Sequence, residues 1–202
     1  MARDPKPAAA RKPEKYDAIL RAAIHVFARN GFFNAKVADV AREAGVADGT
    51  VYLYFKNKDH ILVSIFEETM YDSISQGRDV VQSIVDPREK LRRIAEMHLD
   101  RMGSDRDLAV VFQVELRSST KFMEQFSETR VSEYLDLIRS VILEGQKQGR
   151  FRSTLDANIA SKVFFGALDE MVTNWVLSRK IYDLRSTADT VIDLFFNGVI
   201  AD

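Results

Sequence analysis

After its first thirteen residues the chain holds a single proline, Pro87, and only nine glycines are spread over all 202 residues. Breakers this sparse suit helices joined by short turns and argue against a protein of many hairpins. The apolar residues agree. From Glu14 onward, Ile19, Ala23, Val26 and Phe27 fall on one helical face, with Leu20 and Ile24 beside it, and Asn30-Gly31 ends the run. A short second helix is expected over 37–44, with Val37, Val40, Ala41 and Ala44 inward, and Gly45 stops it. A third is expected over 49–55. Asn57 then caps a longer fourth helix carrying Ile61, Leu62, Ile65, Phe66 and Met70. Pro87 opens another helix, where its missing N–H costs little, and Leu91, Ile94, Ala95 and His98 follow. An apolar run over 108–116 embeds Gln113 and Glu115, and 122–148 reads as one long amphipathic helix ended by Gly149. Asp156 caps a helix to about Arg179, and Ser186 or Thr187 starts a last one to about Ile200. The expected fold is all-α, with roughly nine helices.

A 46% hydrophobic and 29% charged composition supports a substantial core. Met1 to Pro13 carries the other three prolines and four basic residues, and reads as a flexible basic arm. The expected division is therefore an arm (1–13), a small helical head (14–58) and a helical body (59–202). Charge follows the same division. Up to Lys58 there are 11 Lys+Arg against 6 Asp+Glu, a balance of +5; the remainder carries 18 against 24. A basic head on an acidic body suggests that the head meets a polyanion. The absence of cysteine excludes disulfides and thiol chemistry and points to a cytoplasmic address. No apolar run approaches the ~20 residues of a membrane span, and the N-terminus lacks the apolar stretch of a signal peptide.

Enzymatic classes find no support. There is no G-x-S-x-G, P-loop or H-E-x-x-H pattern, and His25, His60 and His98 share no metal-ligand spacing. Adjacent carboxylates such as Glu67-Glu68 diverge on a helix. No catalytic residues, cofactor or metal are expected, and each histidine reads as a surface or packed residue.

The informative stretch is "GVADGTVYLYFKNK", Gly45 to Lys58. Two short helices joined by a tight turn at Gly45 have helix-turn-helix form, in which the second helix enters the major groove. Val51 and Phe55, four apart, would be core with Val46 beneath. A tyrosine ring at 52 or 54 can pack on sugar while its hydroxyl donates to phosphate, and Thr50 can offer a hydroxyl and a methyl. Gly49 lets the backbone come close. Lys56 and Lys58 lie beside the free N–H groups that open the fourth helix, a site that favours phosphate.

The run from Phe32 to Leu62, "FFNAKVADVAREAGVADGTVYLYFKNKDHIL", closely resembles the DNA-binding domain of TetR-family repressors. The resemblance implies a homodimer of all-α subunits whose first three helices bind a double-stranded operator and whose remainder holds a ligand pocket and the dimer interface. Mapped by position, the family's DNA-contacting set falls on Val37, Gly49, Thr50, Tyr52, Tyr54, Lys56 and Lys58. Two departures stand out: Ala35 and Ala47 occupy positions where the family often has Ser or Thr, with Asn34 and Asp48 the nearest replacement caps. Together with this run, "LAVVFQVELR" and "GALDEMVTNWV" followed by "YDL" resemble the acyl-CoA-responsive regulators of fatty-acid degradation within that family. This implies a long-chain acyl-CoA effector that releases the protein from DNA.

An acyl tail needs a long apolar space between helices. Phe112, Leu116, Phe165, Leu168, Val172 and Trp175 are candidates to line it, with Gln113 and Asp169 as polar residues inside apolar stretches that form a network or fix a ligand. Each apolar one would serve equally as ordinary core. The CoA phosphates need cations; Arg117 follows the apolar run directly, and Arg92, Arg93 and Arg101 lie on a nearby helix. The last helix is apolar on nearly all sides, which calls for a partner subunit, with Phe164, Val191, Phe195 and Val199 as expected interface residues. The competing expectation is a similar repressor sensing another hydrophobic molecule, such as a drug or a free fatty acid.

Overall fold

The computed structural model describes residues 14–119, 122, 124, 127–180 and 182–197, so the expected arm and Val199 lie outside the described residues. Nine α-helices are present among them, with no strand. The head is α1 (Glu14–Asn30), α2 (Val37–Glu43) and α3 (Asp48–Tyr54). The body is α4 (Lys58–Ser83), α5 (Pro87–Gly103), α6 (Arg106–Val110), α7 (Ser132–Lys147), α8 (Ala157–Leu177) and α9 (Ala188–Asn197). No described helix is long and apolar enough to cross a membrane.

The head is held by the expected face of α1. Ile19, Ala23 and Phe27 are fully buried with Val40, Ala41, Val51 and Phe55. Gly31 closes α1 with a φ of +77°, a left-handed conformation that costs glycine nothing. The Tyr16 ring stacks on Phe55 at 4.9 Å, and its hydroxyl donates to Glu68 on α4, so one side chain joins α1, α3 and α4. Burial, reinforced by the Glu68 carboxylate, pushes the Tyr16 hydroxyl up to about 12.

The caps differ from expectation in the head. Asn34 does not cap α2; its Nδ2 donates to Asn30 O. Lys36 is the capping position, and its N–H donates to the Asp39 carboxylate, which spares one otherwise orphaned amide. Ala47 precedes α3 with no side-chain cap, and Asp48 is the first helical residue. Elsewhere the expected caps are present: Asn57 Oδ1 accepts from His60 N, and Asp156 Oδ1 accepts from the amides of Asn158 and Ile159.

In the body, α7 and α8 pack as a pair, and α5 lies against α4, α7, α8 and α9. Lys90, buried on α5, meets Glu144 on α7 at 2.6 Å, so the charge taken out of water has a partner. The expected helix over 108–116 does not run through. Past α6 the backbone opens into a π-helical turn, Val111–Glu115, closed by the Leu116 N–H on Val111 O, and then tightens into a 3₁₀ turn, Leu116–Ser118. The long helix expected over 122–148 is likewise interrupted by a π-helical turn, Ser127–Val131, with 122 and 124 helical before it and a regular helix again from Ser132. A single wide turn is too short to set an apolar period of its own, so sequence periodicity does not show it.

Trp175 serves the fold and does not line a cavity. Its Nε1–H donates to Tyr182 O at 2.9 Å, tying down the segment after α8. The Arg106 guanidinium lies 4.9 Å over its ring and donates to the carbonyls of Trp175, Val176 and Ser178. A cation at that end satisfies carbonyls left open by the helix and complements its dipole. The helix ends at Leu177, two residues before the expected stop. Replacing Trp175 with Phe keeps an aromatic ring over which Arg106 can sit but removes the indole donor. A loss of about 1–2 kcal/mol is expected, seen as a melting temperature lowered by roughly 2–8 °C in circular dichroism, with ligand affinity retained. An unchanged melting temperature would contradict the structural role.

Candidate ligand cavity and nucleic-acid interface

On the head, α3 presents its unburied edge outward. Tyr52 is 55% exposed and Leu53 80% exposed, and no atom lies within 4 Å of where a Gly49 side chain would begin. Thr50 is half-buried, and Lys56 is exposed. Of these expected positions Gly49, Tyr52 and Lys56 are thus open to solvent, and Thr50 is partly covered. Tyr54 is half-buried against Tyr16 at 6.1 Å, and Val37 is half-buried at the start of α2.

Lys58 departs from expectation. Its Nζ donates to three backbone carbonyls, Phe32 O at 2.6 Å, Phe33 O at 3.0 Å and Ala35 O at 2.9 Å, and sits 4.6 Å over the Phe32 ring. All three ammonium protons are therefore engaged inside the head. The lysine fastens the loop between α1 and α2 to the start of α4 and has no proton left for a phosphate in this arrangement.

In the body a cavity enclosing about 810 Å³ of empty space, its open mouth included, lies between the helices. Phe66, Met70 and Ser73 come from α4, and His98 and Met102 from α5. Phe112, Gln113, Leu116 and Arg117 come from the π-helical and 3₁₀ turns. Val131 and Tyr134 close the third side, and Phe165 and Asp169 of α8 the fourth. The wall is mostly apolar, as a lipid-like ligand requires.

The polar groups in that wall are organised around Asp169. Gln113 Nε2 donates to one carboxylate oxygen at 2.9 Å and Arg117 to the other at 2.5 Å. The Thr173 hydroxyl lies 2.9 Å from Gln113 Oε1 and 3.0 Å from Asp169 O. Arg117 is thus already paired. A second hollow, about 330 Å³, adjoins the first. It shares Ser73, His98 and Tyr134 with the cavity and adds Arg101, Asp72 and Gln76. Arg92 and Arg93 are engaged elsewhere, with Asp189 and Glu96.

Cavity and head are joined by the same segment. Glu115, at the end of the π-helical turn, accepts the Phe32 N–H at 2.6 Å. Just upstream, Asp107 of α6 pairs with His25 of α1 at 2.6 Å. Phe112, Gln113, Leu116 and Arg117 line the cavity while Glu115, among them in sequence, holds the head.

A family model described as bacterial regulatory proteins, tetR family, matches residues 19–65, and one described as YsiA-like protein, C-terminal region, matches residues 66–198. The chain belongs to the TetR family. It is 37% identical to the fatty acid metabolism regulator protein of Bacillus subtilis, over 93% of this chain and 97% of that one. Among solved structures it resembles the FadR of Bacillus subtilis in complex with stearoyl-CoA (TM-score 0.86, 36% identity, 92% of this chain and 100% of that one). It also resembles the fatty acid degradation regulator FadR of Bacillus halodurans (TM-score 0.89, 39% identity, 94% and 98%). These relatives are regulators, and the chain is not an enzyme.

For a TetR-family body, six of the nine expected ligand residues line the cavity: Phe112, Gln113, Leu116, Arg117, Phe165 and Asp169. Leu168 and Val172 are fully buried but face the packed side of α8, and Trp175 belongs to the Arg106 latch. The residues missed are mainly those of α4, α5 and α7. Phe66, Met70 and His98 stood on correctly read apolar faces, and nothing in their spacing distinguishes cavity wall from core. Phe164 and Val191, expected at a subunit interface, are buried within the subunit, Phe164 meeting Phe195 edge-on at 4.9 Å. The exposed apolar residues of α8 and α9 are instead Ile159, Val163, Leu177 and Leu194, at 61%, 57%, 71% and 46%.

Replacing Glu115 with Ala leaves the Phe32 amide without its charged acceptor. Such bonds contribute about 1.5–3 kcal/mol, so exchange of the Phe32 amide with solvent should speed at least tenfold in hydrogen-exchange mass spectrometry or NMR. Unchanged protection would show that the contact does not hold the head.

Proposed function

We propose that this TetR-family protein binds a palindromic DNA operator as a homodimer, represses genes of fatty-acid degradation, and lets go when a long-chain acyl-CoA fills the cavity. The observation that carries this reading is the apolar cavity whose wall, at 112–117, also holds the head through Glu115. The stearoyl-CoA found in the FadR relative, with 36% identity across nearly the whole chain, supports the choice of ligand.

The open edge of α3 enters the major groove. Tyr52 packs on the backbone and donates to a phosphate; Gly49 and Thr50 approach closely; Lys56 adds a phosphate contact. Tyr54 and Val37 contribute from the margin, and Lys58 acts by holding the head together. Two subunits pair through α8 and α9, where Ile159, Val163 and Gly166 form a row that a second copy covers together with Leu194. The two heads then stand one turn of DNA apart, about 34–36 Å. A protein of this kind works in the bacterial cytoplasm, where the DNA is.

Ligand in the cavity presses on the 112–117 wall, the Glu115 and Asp107 contacts carry the shift to α1 and the following loop, and the heads leave register. Equal affinity for both arrangements would change nothing; turning the population from 99:1 to 1:99 takes a preference of about 5.5 kcal/mol. A second reading, a drug or similar uncharged hydrophobic effector, is favoured by the Arg117–Asp169 pair, which leaves the cavity's own arginine neutralised.

The test uses an operator selected from a random DNA pool and fluorescence anisotropy. Micromolar palmitoyl-CoA should dissolve the complex, while palmitate or CoA alone should not; release by an uncharged hydrophobic compound and not by palmitoyl-CoA would favour the second reading. In the same assay Lys56→Ala should lower the slope of log affinity against log salt by about 1. Lys58→Met should leave that slope unchanged while lowering the melting temperature of the protein. A slope change in Lys58→Met would return that lysine to the DNA.

A further inference from the structure

His98 stands on the α5 face that also carries Leu91, Ile94, Ala95 and Met102. Its imidazole stacks on Tyr134 at 6.0 Å and meets the edge of Phe165 at 5.9 Å. Among the described residues, its Nε2 is the one fully buried side-chain nitrogen or oxygen with no hydrogen-bond partner. Native proteins rarely leave such an atom unpaired, and those that do tend to complete it with a ligand or water. Of the other polar groups of the wall, Gln113, Asp169 and Arg117 satisfy one another and the Ser73 hydroxyl donates to Thr69 O, while the Tyr134 hydroxyl belongs to the ring that stacks on His98. Burial pushes the His98 pKa down to about 4 although Asp169 opposes it, so the ring is neutral at pH 7 and carries one N–H.

The position of His98 is as informative as its orphaned nitrogen. It borders both the apolar cavity and the outer hollow in which Arg101 and Gln76 stand. A long-chain acyl thioester has one polar group where its hydrocarbon ends, the carbonyl, and everything beyond the sulfur is polar. We infer that His98 Nε2–H donates to the thioester carbonyl oxygen of the bound acyl-CoA, setting carbon 1 of the chain at the wall between the cavity and the hollow. His98 then works as a ruler and a selector. The chain is measured inward from His98 to Phe66, Phe112 and Leu116, and a ligand lacking an acceptor there leaves the nitrogen unpaired. The assignment depends on an acyl-CoA occupying the cavity as proposed above.

The test is calorimetric binding of two probes to the full chain: hexadecanoyl-CoA and S-hexadecyl-CoA, a thioether in which CH2 replaces the carbonyl. The unaltered protein should bind the thioester about fivefold to tenfold more tightly, as expected for one buried neutral hydrogen bond. His98→Phe, which keeps a ring for Tyr134 and Phe165, should bring the ratio to about one by weakening only the thioester. His98→Gln, which keeps an N–H donor, should restore part of it, and cooperative melting of both variants verifies the fold. An equal loss for both probes, or a ratio unaffected by His98→Phe, would overturn the assignment. If the unaltered protein bound neither probe, the acyl-CoA reading would itself fall, an outcome distinct from a lost ratio.

Discussion

The hydrogen bond from the Phe32 amide to the Glu115 carboxylate, with the His25–Asp107 pair beside it, ties the head to the wall of the cavity. Phe32 opens the loop between α1 and α2, which is fixed from the other side by Lys58 through three carbonyls. Glu115 ends the π-helical turn whose neighbours Gln113, Leu116 and Arg117 line the cavity. A wide turn closed over five residues advances the side chains differently from an α-helix. In this stretch residues 112, 113, 116 and 117 face the cavity while 115 faces the head.

The head is where sequence and structure agree most closely. Val51 and Phe55 are buried and Tyr52 is exposed because seven residues of helix offer only one inward stripe, and four-residue spacing identifies it. Lys58 was not legible in the same way. Its spacing suits phosphate, but the nearest acceptors turned out to be carbonyls of a loop 23 to 26 residues earlier, a tertiary proximity that local pattern does not contain. The caps follow the same rule: Asn57 and Asp156 act within three residues and were readable, whereas Asn34 bonds backwards to Asn30.

In the body, periodicity identifies which faces are apolar but not what covers them. Phe112 and Phe165 line a cavity, Leu168 and Val172 are packed core, and Ile159 and Val163 face outward, yet all are apolar residues at helical positions. The π-helical turns at 111–115 and 127–131 add a shift of phase that no spacing rule anticipates. Charged residues divide by the helix ends they meet. Arg106 completes the carbonyls ending α8, while Arg117 is neutralised by Asp169 beside the cavity. Among the described residues one fully buried side-chain nitrogen, on His98, has no hydrogen-bond partner.

The central claim is that occupancy of the cavity changes the spacing of the two heads through the Glu115 contact. Because the chain has no cysteine, a single Glu43→Cys on the exposed side of α2 takes one spin label per subunit. Double electron–electron resonance then measures the distance between the labels with and without saturating palmitoyl-CoA. The account predicts a ligand-dependent change of several ångströms, abolished when Glu115→Ala is added. An inter-head distance unmoved by a ligand that releases DNA, or a shift that persists undiminished without Glu115, would contradict it.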